Sequence, residues 1–105
     1  MSRLRLRFVA RSVEQLERAD EWWRANRARS PDLLITEFDE AVALLRDAPH
    51  TGVAYPNDAL PGVRRFLMRR TRFHVYYVVR DDTLIISALW SGLRDHGPPL
   101  SSLGR

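Results

Sequence analysis

The sequence predicts an α+β domain in which an N-terminal strand, a helical hairpin and a three-stranded antiparallel meander follow one another along 105 residues. Three observations predict it. Apolar residues recur with period two from Arg3 to Val9, with helical spacing from Ser12 to Asp47, and as dense β-branched and aromatic runs from Val63 onward. Short polar breaks divide those last runs as hairpin turns do. One strand, then helices, then consecutive strands puts the helices together on one face of a mostly antiparallel sheet.

The first strand reads Arg-Leu-Arg-Leu-Arg-Phe-Val, with Leu4, Leu6 and Phe8 on one side. Ser12 and Gln15 have the spacing of a capping box, so the first helix is expected to start there. Leu16, Ala19 and Trp23 share its apolar face and Trp22 widens the stripe, while Glu14, Glu17, Arg18, Glu21 and Arg24 supply polar flanks. Ser30-Pro31 is the expected start of the second helix, since serine can cap free amides and proline gives up a donor without a partner. Its stripe is Leu34, Phe38, Ala41, Val42 and Leu45, and Pro49 ends it. Prolines 49, 56 and 61 with glycines 52 and 62 mark a loop without periodic pattern. Strands are expected over Val63–Arg69, Arg72–Arg80 and Thr83–Trp90, with turns at Arg70-Thr71 and Asp81-Asp82. Gly97-Pro98-Pro99 ends regular structure, which leaves 97–105 as a mobile tail of a single domain spanning 1–105.

Composition narrows the function. The absence of cysteine excludes a disulfide framework, a thiolate nucleophile and thiolate-held metals, and makes a reducing cytoplasm the expected location. No run approaches the roughly 20 apolar residues of a membrane helix, and the N-terminus is not built like a signal peptide. No membrane partner is expected. A net charge of +4 and a pI near 10.6 favour acidic partners: nucleic acid, a ribosomal surface or an acidic polypeptide. All 17 basic residues are arginine, which fits GC-rich codon bias better than selection for the guanidinium.

A hairpin centred on Arg70-Thr71 sets Arg65 opposite Tyr76, Leu67 opposite His74 and Arg69 opposite Arg72, all on one sheet face. The other face, Phe66, Met68, Phe73, Val75, Tyr77 and Val79, is apolar enough to lie beneath the helices. Like charges placed opposite one another are a cost unless an anion or an acidic chain neutralises them, so the arginine-bearing face is the candidate binding surface. The plainer reading is that these arginines keep an exposed sheet face hydrated. His74, flanked by Arg65 and Tyr76 with Arg94 farther along, is the one candidate general acid or base. His50 and His96 form no metal motif with it, and neither metal nor cofactor is expected. Ser91, Asp95 and His96 crowd too closely for a hydrolase triad, the Trp22-Trp23 pair at helical spacing reads as structure, and no glycine loop has phosphate-cradle spacing.

The stretches Leu60-Pro-Gly-Val-Arg-Arg-Phe, Phe73-His-Val-Tyr-Tyr-Val-Val-Arg-Asp-Asp and Leu84-Ile-Ile-Ser-Ala-Leu-Trp with Leu93-Arg-Asp resemble the C-terminal half of RelE/ParE-superfamily toxins. The element order agrees with that superfamily from Arg3 to Leu100. The resemblance implies a toxin of a type II toxin-antitoxin pair, silenced by a cognate antitoxin that is ParD-like or of another kind. Two activities run in the superfamily: poisoning of DNA gyrase by ParE-like members, and cleavage of ribosome-bound mRNA by RelE-like members. The nuclease reading implies a catalytic set of Arg65, His74 and Arg94. His74 stands where RelE has an arginine, however, and Leu100 stands at the C-terminal aromatic position. The long helical hairpin and the Gly-Val-Arg-Arg motif are more ParE-like, which makes gyrase the favoured target and the ribosome with its mRNA the alternative. Under either reading, or that of a basic binding module without toxicity, the expected contact residues are Arg64, Arg65, Arg69, Arg72, Tyr76 and Arg94.

Overall fold

The computed structural model describes residues 3–103. Strand β1 (Arg5–Phe8) leads into helix α1 (Ala10–Asn26) and helix α2 (Leu33–Asp47), followed by strands β2 (Val53–Ala54), β3 (Arg64–Met68), β4 (Phe73–Arg80) and β5 (Thr83–Ser91). They form one five-stranded sheet of order β1-β5-β4-β3-β2. β1 returns through the helices to lie parallel to β5, and the other neighbours are antiparallel. α1 packs over β5 and α2 over β3, so the hairpin covers one face.

That face holds the larger core. Trp23, Leu34, Phe38, Ala41, Val42 and Leu45 of the helices meet Met68, Val75, Tyr77, Leu84, Ile86 and Leu89 of the sheet, with Leu4, Phe8, Leu16 and Phe66 at the margin. The outer face carries a second cluster of Leu60, Val63, Tyr76, Val78, Ile85 and Ala88, edged by Val9, Tyr55, Trp90, Leu100 and Leu103. The two central strands are therefore buried on both sides, which is why β4 and β5 read as nearly continuous apolar runs.

Several boundaries depart from expectation for identifiable reasons. α1 begins two residues before Ser12, and the capping box is not formed: the Ser12 hydroxyl donates to the Val9 carbonyl at 2.7 Å. Gln15 instead accepts the Leu89 amide at 3.0 Å, on the edge of β5 that β1 leaves unpaired beyond Phe8. Ser30 does not cap α2, whose N-cap is Asp32; its carbonyl accepts the Trp23 indole N–H and the Leu33 amide. Trp22 widens no buried stripe, being 48% exposed with the Arg27 guanidinium over its ring. The proline-rich connection contains a 3-10 turn (Pro49–Thr51) and β2, which adds an edge strand to the expected meander. Tyr77 fixes this connection from beneath, donating to the Pro49 carbonyl at 2.7 Å and accepting the Gly52 amide at 2.9 Å. A side chain at Gly52 would collide with that hydroxyl.

The segment after β5 has no regular structure, as expected, but it lies along the outer face. Pro98 is buried, Leu100 and Leu103 pack on the second cluster, and Arg11 donates to the Pro99 carbonyl at 3.1 Å. Residues 104 and 105 of the expected tail fall outside the described residues.

Candidate functional site

The site builds from the β3–β4 hairpin. Its register sets Arg65 opposite Tyr76 and Leu67 opposite His74, as expected. The connection is wider than expected: Met68 and Phe73 close the ladder, and Arg69 to Arg72 form a four-residue turn. Arg69 and Arg72 are therefore not a cross-strand pair. Arg72 has a positive φ of 67°, and its amide bonds back to the Met68 carbonyl at 2.8 Å. The turn is held from inside by Glu37 of α2, whose carboxylate accepts the Arg70 and Thr71 amides, both at 2.9 Å, and the Thr71 hydroxyl at 2.8 Å.

A bulge in β5 supplies the next side chain. Tyr77 pairs with Ile86 but Tyr76 pairs with Ala88, leaving Ser87 as the extra residue. Strict alternation from Leu84 would send Trp90 under the helices. The extra residue reverses the faces, so that Leu89 enters the helix-side core and Trp90 comes to the outer face opposite His74.

The chain then folds back over this surface. Gly92 donates to the Arg72 carbonyl at 2.7 Å, and a Cβ on it would lie 2.8 Å from that oxygen and 3.2 Å from the His74 ring. A Cβ on Gly97 would strike the Tyr55 hydroxyl. Between these close approaches, the Arg94 guanidinium stacks on Trp90 at 4.2 Å and the Trp90 indole donates to the His96 carbonyl at 2.8 Å. Arg65 lies over Tyr55 at 5.2 Å, and Tyr55 meets Tyr76 edge-on at 5.0 Å. The result is a contiguous surface of Arg65, His74, Trp90 and Arg94 on an aromatic floor.

Its electrostatics are one-sided. The stretch from Val63 to Arg80 carries six arginines and no acidic residue. Among the described residues, the arginines that make ion pairs are Arg3, Arg5 and Arg24, so the charges of Arg65, Arg69, Arg70, Arg72 and Arg94 are not matched by a carboxylate there. Burial, and secondarily the charge of Arg65, lowers the His74 pKa below the ordinary histidine value, so its imidazole is neutral at physiological pH. Stacked cations beside aromatic faces suit a phosphate backbone or an acidic protein surface. A cleft of about 530 Å³ lies elsewhere on the outer face, between Arg7, Leu60, Arg80 and Leu103. None of Arg65, His74, Trp90 and Arg94 lines it.

Of the expected contact residues, Arg65 acts on His74 through its charge, and Arg94 lies over Trp90, the cross-strand neighbour of His74. Arg69 and Arg72 lie at the adjoining turn and are exposed. Tyr76 is only 2% exposed and serves as floor. Arg64 points to the other side of β3 and donates to the Gly52 carbonyl at 2.7 Å, which makes it part of the loop anchorage. Sequence reasoning missed Trp90, Tyr55 and Glu37. Trp90 closes an apolar strand run, but only the bulge decides its face. Tyr55 lies in a stretch without periodicity, and Glu37 acts across more than thirty residues.

No curated protein matches in sequence. Among solved structures, the chain is similar to one described as the chromosomal ParDE TA system from P. aeruginosa, with a TM-score of 0.65 and 18% identity over 84% of this chain and 95% of that one. It is also similar to the YoeB dimer from Staphylococcus aureus, with a TM-score of 0.56 and 14% identity over 85% and 97% of the two chains. At these identities the likeness is one of fold. The model of a protein family described as the ParE toxin of the type II toxin-antitoxin system parDE matches residues 6–96, most of both sheet faces and the whole helical hairpin, and the chain belongs to that family.

Proposed function

We propose that this toxin-family chain acts by binding DNA gyrase and is held silent by a cognate, ParD-like antitoxin. The observation that carries the reading is the outer face itself: five arginines without ion-pair partners around an aromatic floor, in a chain of the ParE family. Such a surface binds acidic protein or a protein–DNA assembly through charge and stacking, and no bond need be broken by this chain. Arg65 and Arg94 are the central contacts, with Arg69 and Arg72 extending the surface at the turn. The partner neutralises them with acidic side chains on an amphipathic segment.

A second reading, ribosome-dependent cleavage of mRNA, is favoured by one observation: a neutral His74 beside Arg65. There the imidazole takes the proton of a ribose 2′-hydroxyl, and Arg65 and Arg94 stabilise the charge that develops on the phosphate. The departing 5′-oxygen then needs a proton from a second group. Tyr76 is buried and Leu100 has none to give, which weighs towards gyrase.

The test is to induce the chain alone in bacteria and follow labelled amino-acid and thymidine incorporation over the first minutes. Gyrase poisoning predicts early failure of DNA synthesis with filamentation while translation continues, and His74→Ala should keep this effect. Immediate collapse of translation, abolished by His74→Ala, would instead establish the nuclease. Unimpaired growth with soluble protein would leave a basic binding module.

A further inference from the structure

Glu37 is a carboxylate placed where carboxylates are rarely left. It sits on the second turn of α2, is 8% exposed, and faces a turn that carries Arg69, Arg70 and Arg72, yet it makes no ion pair with them. All three of its hydrogen bonds go to the turn's own frame: two backbone amides and the Thr71 hydroxyl. A buried carboxylate is tolerated when its oxygens are satisfied in this way, and it holds what satisfies it firmly.

The frame it holds leads to the site. Immediately after Thr71, Arg72 adopts a left-handed backbone, which a non-glycine residue keeps only where its surroundings enforce it. The Arg72 carbonyl, aimed by that conformation, accepts the Gly92 amide at 2.7 Å. Gly92 in turn lies against the His74 ring and begins the segment that lays Arg94 over Trp90.

We propose that Glu37 is the positioning residue of the outer-face site: by fixing the Arg69–Arg72 turn it sets the carbonyl from which the Gly92 segment hangs, and so places Arg94 and Gly92 against Trp90 and His74. The consequence for function rests on the reading that this face engages the target. The linkage of Glu37 to Gly92 and His74 does not.

The test uses the full chain, isotopically labelled, and reads two reporters by NMR: exchange protection of the Gly92 amide and the titration midpoint of the His74 ring. In Glu37→Ala, Gly92 protection should fall by about tenfold or more, and the His74 midpoint should rise towards the ordinary value of about 6.5 as the backbone that shields it lifts away. Glu37→Gln, which keeps one oxygen for Thr71, should recover part of both changes. Gly92→Ala breaks the same chain of contacts from its far end, and it should move His74 in the same direction while the Arg70 and Thr71 amides stay protected. A Glu37→Ala protein that melts earlier but keeps the parent's Gly92 protection and His74 midpoint would reduce Glu37 to a structural staple and overturn the proposal. If that variant does not fold, parental values in both Glu37→Gln and Gly92→Ala overturn it equally. Growth arrest on induction is scored in parallel: its absence for the parent chain would sink the toxic reading while leaving the linkage of Glu37 to Gly92 and His74 intact.

Discussion

The helix-covered and outer faces of the sheet are made from the same strands, residue by alternating residue, and they solve different problems. On the helix side, Leu34, Leu45, Val75, Tyr77 and Leu84 are closed off completely, and the polar atoms that enter, such as the Tyr77 hydroxyl, find backbone partners. On the outer side the apolar cluster runs only part of the way. Where it stops, towards the hairpin turn, Arg65, His74, Trp90 and Arg94 take its place, and the charges of the two arginines are not matched by a carboxylate among the described residues. One face has its polar groups satisfied within the chain, while the other carries arginines that make no ion pair among the described residues. Burial therefore tells which residues hold the fold, and under the proposed function unmatched charge tells which residues meet the partner.

Substitutions can break that division, beginning with the largest expected change in stability. Leu45→Ala, in the closed face, should cost about 2–5 kcal/mol and lower the urea midpoint accordingly. Tyr77→Phe should cost about 1–3 kcal/mol, since it strands the Gly52 amide and the Pro49 carbonyl. Arg65→Ala and Arg94→Ala should each cost no more than about 1 kcal/mol, the value of an exposed cation over an aromatic ring, and yet abolish growth arrest. A loss of stability in these arginine variants comparable to that of Leu45→Ala would erase the distinction between the faces.

The smallest effect is on pH. The folded chain holds the His74 pKa down, through burial first and Arg65 second, so on acidification the unfolded chain takes up that proton earlier. The stability contributed by a neutral His74 is complete above about 6.5 and is lost as pH falls through that value towards the lower folded one. Denaturation midpoints measured from pH 7.5 to 5 should show this loss in the parent and a shallower one in His74→Gln. Arg65→Ala should return the His74 midpoint only part of the way, because burial is the larger cause.

Much of this arrangement was legible in the order of residues. The register of β3 and β4 followed from the position of the hairpin's centre, and it held although the connection has four residues, because two- and four-residue turns about the same centre give the same pairing. The helix-side members of β3 and β4 were likewise readable from period-two alternation. Alternation failed where a local rule was interrupted. The extra residue at Ser87 reverses the faces of Leu89 and Trp90, and nothing in Ile-Ser-Ala-Leu announces it. Tyr76 was expected on the wet face because its strand partners are polar, but Tyr55, brought in from the proline-rich loop, covers it. Glu37 carries no signal in the sequence, since its partners lie more than thirty residues away and two of the three are backbone amides.

The central claim, that the arginine-bearing outer face binds gyrase, is tested most directly by purified gyrase supercoiling relaxed plasmid in the presence of the parent chain or the Arg65→Ala/Arg94→Ala double variant, both checked for equal thermal stability. Binding through this face predicts that the parent inhibits supercoiling and traps cleaved plasmid, and that the double variant does neither at the same concentration. A double variant as potent as the parent would remove the outer face from target binding, and a parent without effect on gyrase would remove gyrase as the target.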